Sequence, residues 1–434
     1  MDVALCADIT MLHVLHTVSG RNWGGLEHRV VKQAEWLRQR GFGATIATPV
    51  GGATWLQALA IGLDVINLPF DGLSSTAATF ALRRLVRQKR ISVIDCHSNL
   101  DSKAALGCRD LAGIVRSVHV TPKAGHGMFR RLKWRYGFDQ VVCTASSIFG
   151  NLQSDRLLLP DRSTIIGEWA EADFFDVPSL KDTENSDIVD VAMVAMLRPD
   201  KAPDLALDAF ELLRRRSVRT RLTIAGLATA EHEAYAQCLR SRVTQTELKQ
   251  LVQFIGHCEN IPDLLSGLQI VIIPSRREAQ SRIAAQAMAA GRPVIASDVG
   301  GLSELVKSGA TGRLMPPNDA QALAQNIEEL VCNAPLRKAF GSAGRMFAEK
   351  NLRMEDKMLL TLRVYNRALS KFGKAHSGSG ELSSASISST GRKSLARHQA
   401  SRSMLTLWVK LTSDKSHRRD MLPVNGLAYS KSIS

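Results

Sequence analysis

Paired cysteines are missing from this chain. Its seven cysteines, Cys6, Cys96, Cys108, Cys143, Cys238, Cys258 and Cys332, form no Cys-x-x-Cys and no other metal-ligand spacing. An odd count spread over 434 residues argues against a disulfide framework and for a reducing compartment. No apolar run approaches the roughly 20 residues of a membrane span. Asp2 and Asp8 interrupt the N-terminus, and no basic segment precedes an apolar one, so no signal peptide is expected. A cytoplasmic protein is the expectation. No Asp-x-Asp pair offers a divalent-ion site, and no Gly-x-Gly-x-x-Gly marks a dinucleotide site. No recognised nucleic-acid module occurs either. The expectation is therefore no metal, no NAD and no nucleic acid. Acidic residues are outnumbered, 41 Asp/Glu against 56 Lys/Arg, giving a net charge of +15 and favouring anionic partners such as phosphates or an anionic membrane surface.

Apolar residues make up 45% of the chain, enough for a substantial core, and the length suits two domains. In the first half, strand-like runs at 12–17, 44–48, 65–68, 91–96, 114–120 and 140–144 alternate with helical patterns. In the second, runs at 188–197, 221–225, 252–255, 270–273 and 293–296 do the same. Such alternation predicts α/β architecture with doubly wound, mainly parallel sheets. The expected organisation is an extra segment at 1–10, a Rossmann-like domain at 11–167 and a linker at 168–187. A second Rossmann-like domain at 188–350 and a helix at 351–372 crossing back to the first follow. The tail, 373–434, is Ser-rich and basic and reads as disordered, with an amphipathic stretch at 404–411 as the sharper alternative. Residues 371–434 hold 11 Lys/Arg and 3 Asp/Glu, so the tail supplies over half of the net charge.

The densest chemistry lies in residues 274–317. The strand at 270–273 ends at Pro274, and Glu278 follows before the next helix. Ligands of open α/β sheets sit at the carboxyl ends of strands, which puts Glu278 at a cleft mouth. Gln286 comes eight residues later, about two helical turns, so both side chains are expected to point the same way. Backbone amides of Ala279, Gln280, Ser281 and Arg282 would greet a diphosphate at the helix N-terminus. Upstream, Arg198 and Lys201 end another strand and are placed to neutralise that diphosphate without a metal. Glu278 is alternatively a helix-terminal carboxylate stabilised by the dipole.

These segments resemble the donor-binding half of retaining GT-B glycosyltransferases of family 4. The family shows Glu-x7-Glu, then Ala-Met-Ala-x-Gly-x-Pro-Val and Gly-Gly-x-x-Glu. This chain has Glu278, AMAAGRPVIAS at 287–297, and Gly300-Gly301 with Glu304. LRPDKAP at 197–203 resembles the phosphate clamp, FIGHCENIPDLL at 254–265 the nucleobase-side loop, and GATGRLMPPND at 309–319 the final strand and turn. The match covers roughly residues 11–372. It implies a GT-B fold, two Rossmann-like sheets facing across a cleft. It also implies that Glu278 binds donor-sugar hydroxyls and that Arg198 and Lys201 hold the diphosphate. The second family Glu, a ribose ligand, is Gln286 here, and Ser281 stands where Gly is usual.

On the N-terminal side, Gly24 and Gly25 lie in GGLEHR, which resembles the family's Gly-Gly-x-Glu element and reads as an acceptor or phosphate loop, or as a plain turn. His97 and His119 follow strands and are expected on the cleft side. The resemblance favours His119 as the residue near the reacting sugar. The stretch KAGHGMFRRLKWR at 123–135 suits an anionic lipid surface, a lipid-diphosphate acceptor, or merely a solvated helix face. The expected function is transfer of a hexosyl group from a nucleotide-diphosphate sugar, a substrate and not a cofactor, to a saccharide or lipid-linked envelope acceptor. A nucleotide-sugar 2-epimerase and a non-catalytic glycosyltransferase-like subunit are the alternatives.

Overall fold

A computed structural model of the chain describes residues 12–70, 73–122, 127–180 and 188–377. The expected N-terminal segment at 1–10, part of the linker and the tail beyond 377, with its stretch at 404–411, lie outside the described residues.

Seven strands build the first sheet: β1 (His13–Thr17), β2 (Gly43–Thr48), β3 (Asp64–Asn67), β4 (Val93–Cys96), β5 (Gly113–Val118), β6 (Gln140–Cys143) and β7 (Ser163–Ile165). Their order is β3-β2-β1-β4-β5-β6-β7, and all pairings are parallel. β4 and β5 are buried throughout, as strands covered on both faces must be. The covering helices are α1 (Gly25–Gln39), α2 (Ala53–Ala60), α3 (Ser75–Lys89), α4 (Asn99–Leu106), α5 (Met128–Tyr136) and α6 (Ser146–Ser154). α1 shows why they dock. Val30, Ala34 and Leu37 recur at helical spacing and are buried, with Val30 and Ala34 packed against Val18 and Ile46. α4 starts on a capping box in which Ser98 and Asp101 satisfy each other's backbone amides.

The second sheet repeats the plan with β8 (Val189–Val194), β9 (Thr220–Ala225), β10 (Val252–Gly256), β11 (Ile270–Ile273), β12 (Val294–Ser297) and β13 (Gly312–Met315). Its order is β10-β9-β8-β11-β12-β13, again parallel. Around it lie α7 (Pro203–Arg215), α8 (Glu233–Gln245), α9 (Ile261–Ser266), α10 (Arg282–Ala289), α11 (Leu302–Leu305), α12 (Ala320–Cys332) and α13 (Ala334–Asn351). In each sheet the strand order reverses beside the first strand, between β1 and β4 and between β8 and β11. A ligand crevice is expected at those points.

The last helix, α14 (Met354–Ser377), leaves the second sheet and packs on the first. Met358, Val364, Tyr365 and Ala368 are buried with Val14, Val93, Val115 and Val142. The chain crosses between halves twice, and the crossings meet: Ala170 donates to Leu352 O at 2.8 Å and accepts from Met354 N at 3.1 Å. The three-residue edge strand β7 escapes the sequence pattern. β8 stops at Val194, three residues short of the expected run, because the chain turns under Gly226. A Cβ on Gly226 would lie 1.8 Å from the Ala195 carbonyl oxygen.

Candidate active site

β8 and β11 are neighbours, so the loops that follow them share one end of the sheet. After β8, Pro199–Lys201 forms one 3-10 turn, and Ala202 adopts a left-handed φ of 55° before Pro203 opens α7. This turn brings Lys201 Nζ to 2.6 Å from Glu278 Oε2. Arg198 lies alongside, its Nη2 at 2.9 Å from Asp200 Oδ2. Backbone bonds tie the two loops, since Arg276 N donates to Asp200 O at 2.8 Å. The Arg276 guanidinium braces them further, reaching Pro199 O at 2.6 Å, Asn318 Oδ1 at 2.6 Å and both Asp204 oxygens. Burial pushes the Asp204 carboxyl up, but its bonds from Arg276 and Tyr235 outweigh this and hold it below the usual range.

Gly300 fixes the loop that carries Glu278. Its φ is 57°, and a Cβ there would lie 1.7 Å from the Glu278 carbonyl oxygen. Gly301 N donates to Ala279 O at 2.6 Å. The Gly-Gly turn is therefore the seat of the Glu278 loop.

The helical-phase argument for Glu278 and Gln286 needs correction. α10 begins only at Arg282, with Ser281 as its cap, so Glu278 precedes the helix. Both residues still line one cleft of about 2460 Å³. Ser281 Oγ accepts from Ala284 N at 3.4 Å, and Ala279, Ser281, Arg282 and Ile283 at the start of α10 line the cleft. The Gln280 side chain is held by two hydrogen bonds within the protein. It accepts from Glu168 N and donates to Glu304 Oε2 at 3.1 Å. Arg282 meets His28 and sits 3.7 Å from Glu171, with burial lowering its guanidinium to about 9. Gln286 Nε2 donates to Glu171 Oε2 at 3.1 Å. This explains the missing second glutamate: a carboxylate at 286 would face the carboxylate of Glu171.

Across the cleft, the glycine loop has found its own anion. Glu27 folds back over the N-terminus of α1, and a Cβ on Gly20 or Gly24 would lie 3.1 Å from its carboxylate oxygens. Burial raises the Glu27 carboxyl, while the Gly24 backbone bond and Arg198 pull it back. Gly24 and Gly25 line the cleft, but that helix terminus already holds a carboxylate.

His97 and His119 belong to a chain of three imidazoles. His16 Nδ1 lies 3.1 Å from His97 Nε2, and His97 Nδ1 lies 3.0 Å from His119 Nε2. Burial depresses all three, His16 to about 3, so each is neutral at pH 7. His16 Nε2 is buried without a partner, and an orphaned donor there costs more than an orphaned acceptor. That favours the direction in which His16 donates from Nδ1, His97 from Nδ1 in turn, and His119 carries its proton on Nδ1, the nitrogen that His97 does not use. His16, Asp95 and His97 also hold ligand atoms within 4.8 Å of one another, the one group with metal-like spacing among the described residues. Hydrogen bonds engage both Asp95 oxygens, which accept from Ser117 Oγ and Tyr365 OH, each at 2.8 Å.

Several of these residues were not singled out from sequence. Glu168 and Glu171 lie in a stretch without periodicity that reads as linker. Glu304 reads there only as the end of a turn. In the fold it spans the two halves, accepting from Ser146 N at 2.8 Å, Ser147 N at 3.2 Å and Ser146 Oγ at 3.1 Å at the start of α6.

Two family models match in tandem. Glycosyltransferase Family 4 covers residues 23–168, and Glycosyl transferases group 1 covers residues 180–347. The chain carries a family 4 glycosyltransferase domain followed by a group 1 glycosyltransferase domain. The group 1 match contains the Lys201, Glu278 and Gly300-Gly301 motifs. Among similar proteins, the lipopolysaccharide core biosynthesis mannosyltransferase LpsB of Rhizobium meliloti is 30% identical over 177 residues, 40% of this chain and 50% of LpsB. The chain thus spans about half the length of the first such relatives. A D-inositol 3-phosphate glycosyltransferase of Stackebrandtia nassauensis is 26% identical over 369 residues, 74% of this chain and 82% of that protein. The glycosyltransferase structure from Rickettsia africae superposes with a TM-score of 0.72 at 18% identity, covering 82% of this chain and 98% of its own. Anabaena HepE in complex with UDP-glucose gives 0.66 at 16% identity, covering 85% and 100%. The chain has the GT-B fold.

Proposed function

We propose that the cleft transfers a hexosyl group from a nucleotide-diphosphate sugar to an acceptor hydroxyl with retention at the anomeric carbon. The observation that carries this reading is the Lys201–Glu278 pair, a cation for the diphosphate and a carboxylate for sugar hydroxyls 2.6 Å apart. The acceptor oxygen bonds the anomeric carbon on the face from which the bond to the phosphate oxygen breaks. The acceptor proton passes to the departing phosphate oxygen. Arg198, Lys201 and the first amides of α10 stabilise the charge that collects there, with no divalent ion needed. Glu278 and His119 orient the sugar.

HepE is known with UDP-glucose, which supports a nucleoside-diphosphate donor. The name of LpsB supports a saccharide or lipid-linked envelope acceptor. Helix α5 supports docking on the anionic cytoplasmic face of a membrane. Its Met128 is 70% and its Phe129 84% exposed, among Arg130, Arg131, Lys133 and Arg135. No described helix is long and apolar enough to cross one. Glu278→Ala and Lys201→Ala test the reading in transfer and donor-hydrolysis assays. Each is expected to lose at least about a hundredfold in turnover, and undiminished turnover in both would overturn it. Thermal shifts with UDP-, GDP- and ADP-sugars identify the base.

A further inference from the structure

The two walls of the cleft treat positive charge differently. On the second-sheet side, Arg198 pairs with Asp200, Lys201 with Glu278 and Arg276 with Asp204. On the first-sheet side, the lining residues from His97 to Asn151 include Lys103, Arg116 and Lys133, and no aspartate or glutamate.

These three come from three different elements. Arg116 stands on β5, is 5% exposed, and is pinned by Nη1 donating to Cys96 O at 3.0 Å and Ser117 O at 3.1 Å. Those bonds orient the guanidinium but leave its buried Nε without a partner. Lys133 on α5 is half-buried, and Lys103 on α4 is exposed. Burial holds the Lys133 ammonium below its ordinary range, and the like charges of Arg116 and Lys103 lower it further. Asp101 is the nearby carboxylate, but it is spent on the Ser98 and His97 amides at the start of α4. Three cations beside one carboxylate keep a net positive charge that opposes folding unless something else neutralises it.

We infer that Lys103, Arg116 and Lys133 form an anion subsite that seats a phosphate group carried by the acceptor. A dianionic tetrahedral group offers enough oxygens to satisfy a guanidinium fork and two ammonium groups at once. The inference deepens the glycosyl-transfer reading and rests on it for the word acceptor. The cationic wall itself is independent of that reading.

The test uses the full chain and measures two bindings in order by calorimetry. UDP is titrated first, which examines the donor side alone. Inorganic phosphate is then titrated into UDP-saturated protein, so that the Arg198 and Lys201 side is already occupied. Wild-type protein is expected to bind phosphate, with Lys133→Gln and Lys103→Gln each weakening it about tenfold. Arg84→Gln is the control, exposed on α3 and outside the cleft lining, and keeps wild-type phosphate affinity. Phosphate affinity that is absent, or equal in wild type and Lys133→Gln, overturns the subsite. Phosphate binding that depends on Lys133 without any UDP binding upholds the subsite and removes the transfer reading. Glycerol 3-phosphate and phosphatidylcholine vesicles with or without phosphatidic acid separate a soluble phosphate ester from a lipid headgroup.

Discussion

Restoring the family's second glutamate should harm this protein. Gln286→Glu replaces an amide donor 3.1 Å from Glu171 Oε2 with a second carboxylate. Gln286 is 4% exposed, and the Glu171 side chain 12%, so water screens the pair weakly. With both ionised, Coulomb repulsion at that distance is about 5 kcal/mol at an effective dielectric of about 20. Uptake of one proton limits the cost. Taking a carboxyl with an ordinary value near 4.3 to its neutral form at pH 7 costs about 3.7 kcal/mol. The variant should therefore be destabilised by up to about 4 kcal/mol at pH 7. Its folded-state carboxyl is raised above the unfolded value, so the deficit is present at high pH and is relieved by about 1.4 kcal/mol per pH unit as pH falls toward about 4.3. Urea unfolding of both proteins from pH 8 to 5 measures this. The exchange Glu171→Gln with Gln286→Glu restores one donor and one acceptor and should recover most of the loss. Equal stability of Gln286→Glu and wild type at pH 7 would falsify the pairing argument.

Three other perturbations test separate parts of the site. Gly300→Ala forces a left-handed alanine against the Glu278 carbonyl and should cost more than about 2 kcal/mol in urea unfolding, with donor turnover lost; wild-type melting and turnover together would refute the seat. Glu304→Gln keeps the shape but removes the charge that caps α6 across the cleft, worth about 1–2 kcal/mol, so kcat/KM should fall roughly 5- to 30-fold, and an unchanged value refutes the bridge. His16 titrates near 3 when folded and 6.5 when unfolded, so its contribution is whole above pH 6.5 and is lost as pH falls. The stability gap between wild type and His16→Gln should close by about 2 kcal/mol from pH 7 to 5, and a constant gap contradicts the neutral-imidazole chain.

Doubly wound sheets are legible in this sequence because strands covered on both faces need continuous apolar runs. The run Ile270–Ile273 is fully buried. β7 is a three-residue edge strand with no buried residue, and it leaves no such trace. Lys201 and Glu278 are legible because each follows a buried strand, where topology brings ligand groups together. What remains hidden depends on pairs distant in sequence. Glu304 reaches Ser146 across 158 positions, Gln286 reaches Glu171 across 115, and Tyr365 reaches Asp95 across 270. No local spacing encodes such partners. The Gly24-Gly25 loop, read as an acceptor or phosphate loop or as a plain turn, lies against the Glu27 carboxylate for a different reason. A helix N-terminus attracts any anion, including the one its own third residue supplies.

The paired crossing at Ala170 and residues 352–354 restricts how the lobes move. A single tether swivels freely, whereas two strands stitched by mutual hydrogen bonds make a joint that bends about one line and resists torsion. A protein cut after residue 351 loses the second half of that joint, and with it the greasy lid over Val14, Val93 and Val115, so the front lobe does not survive as a separate soluble piece.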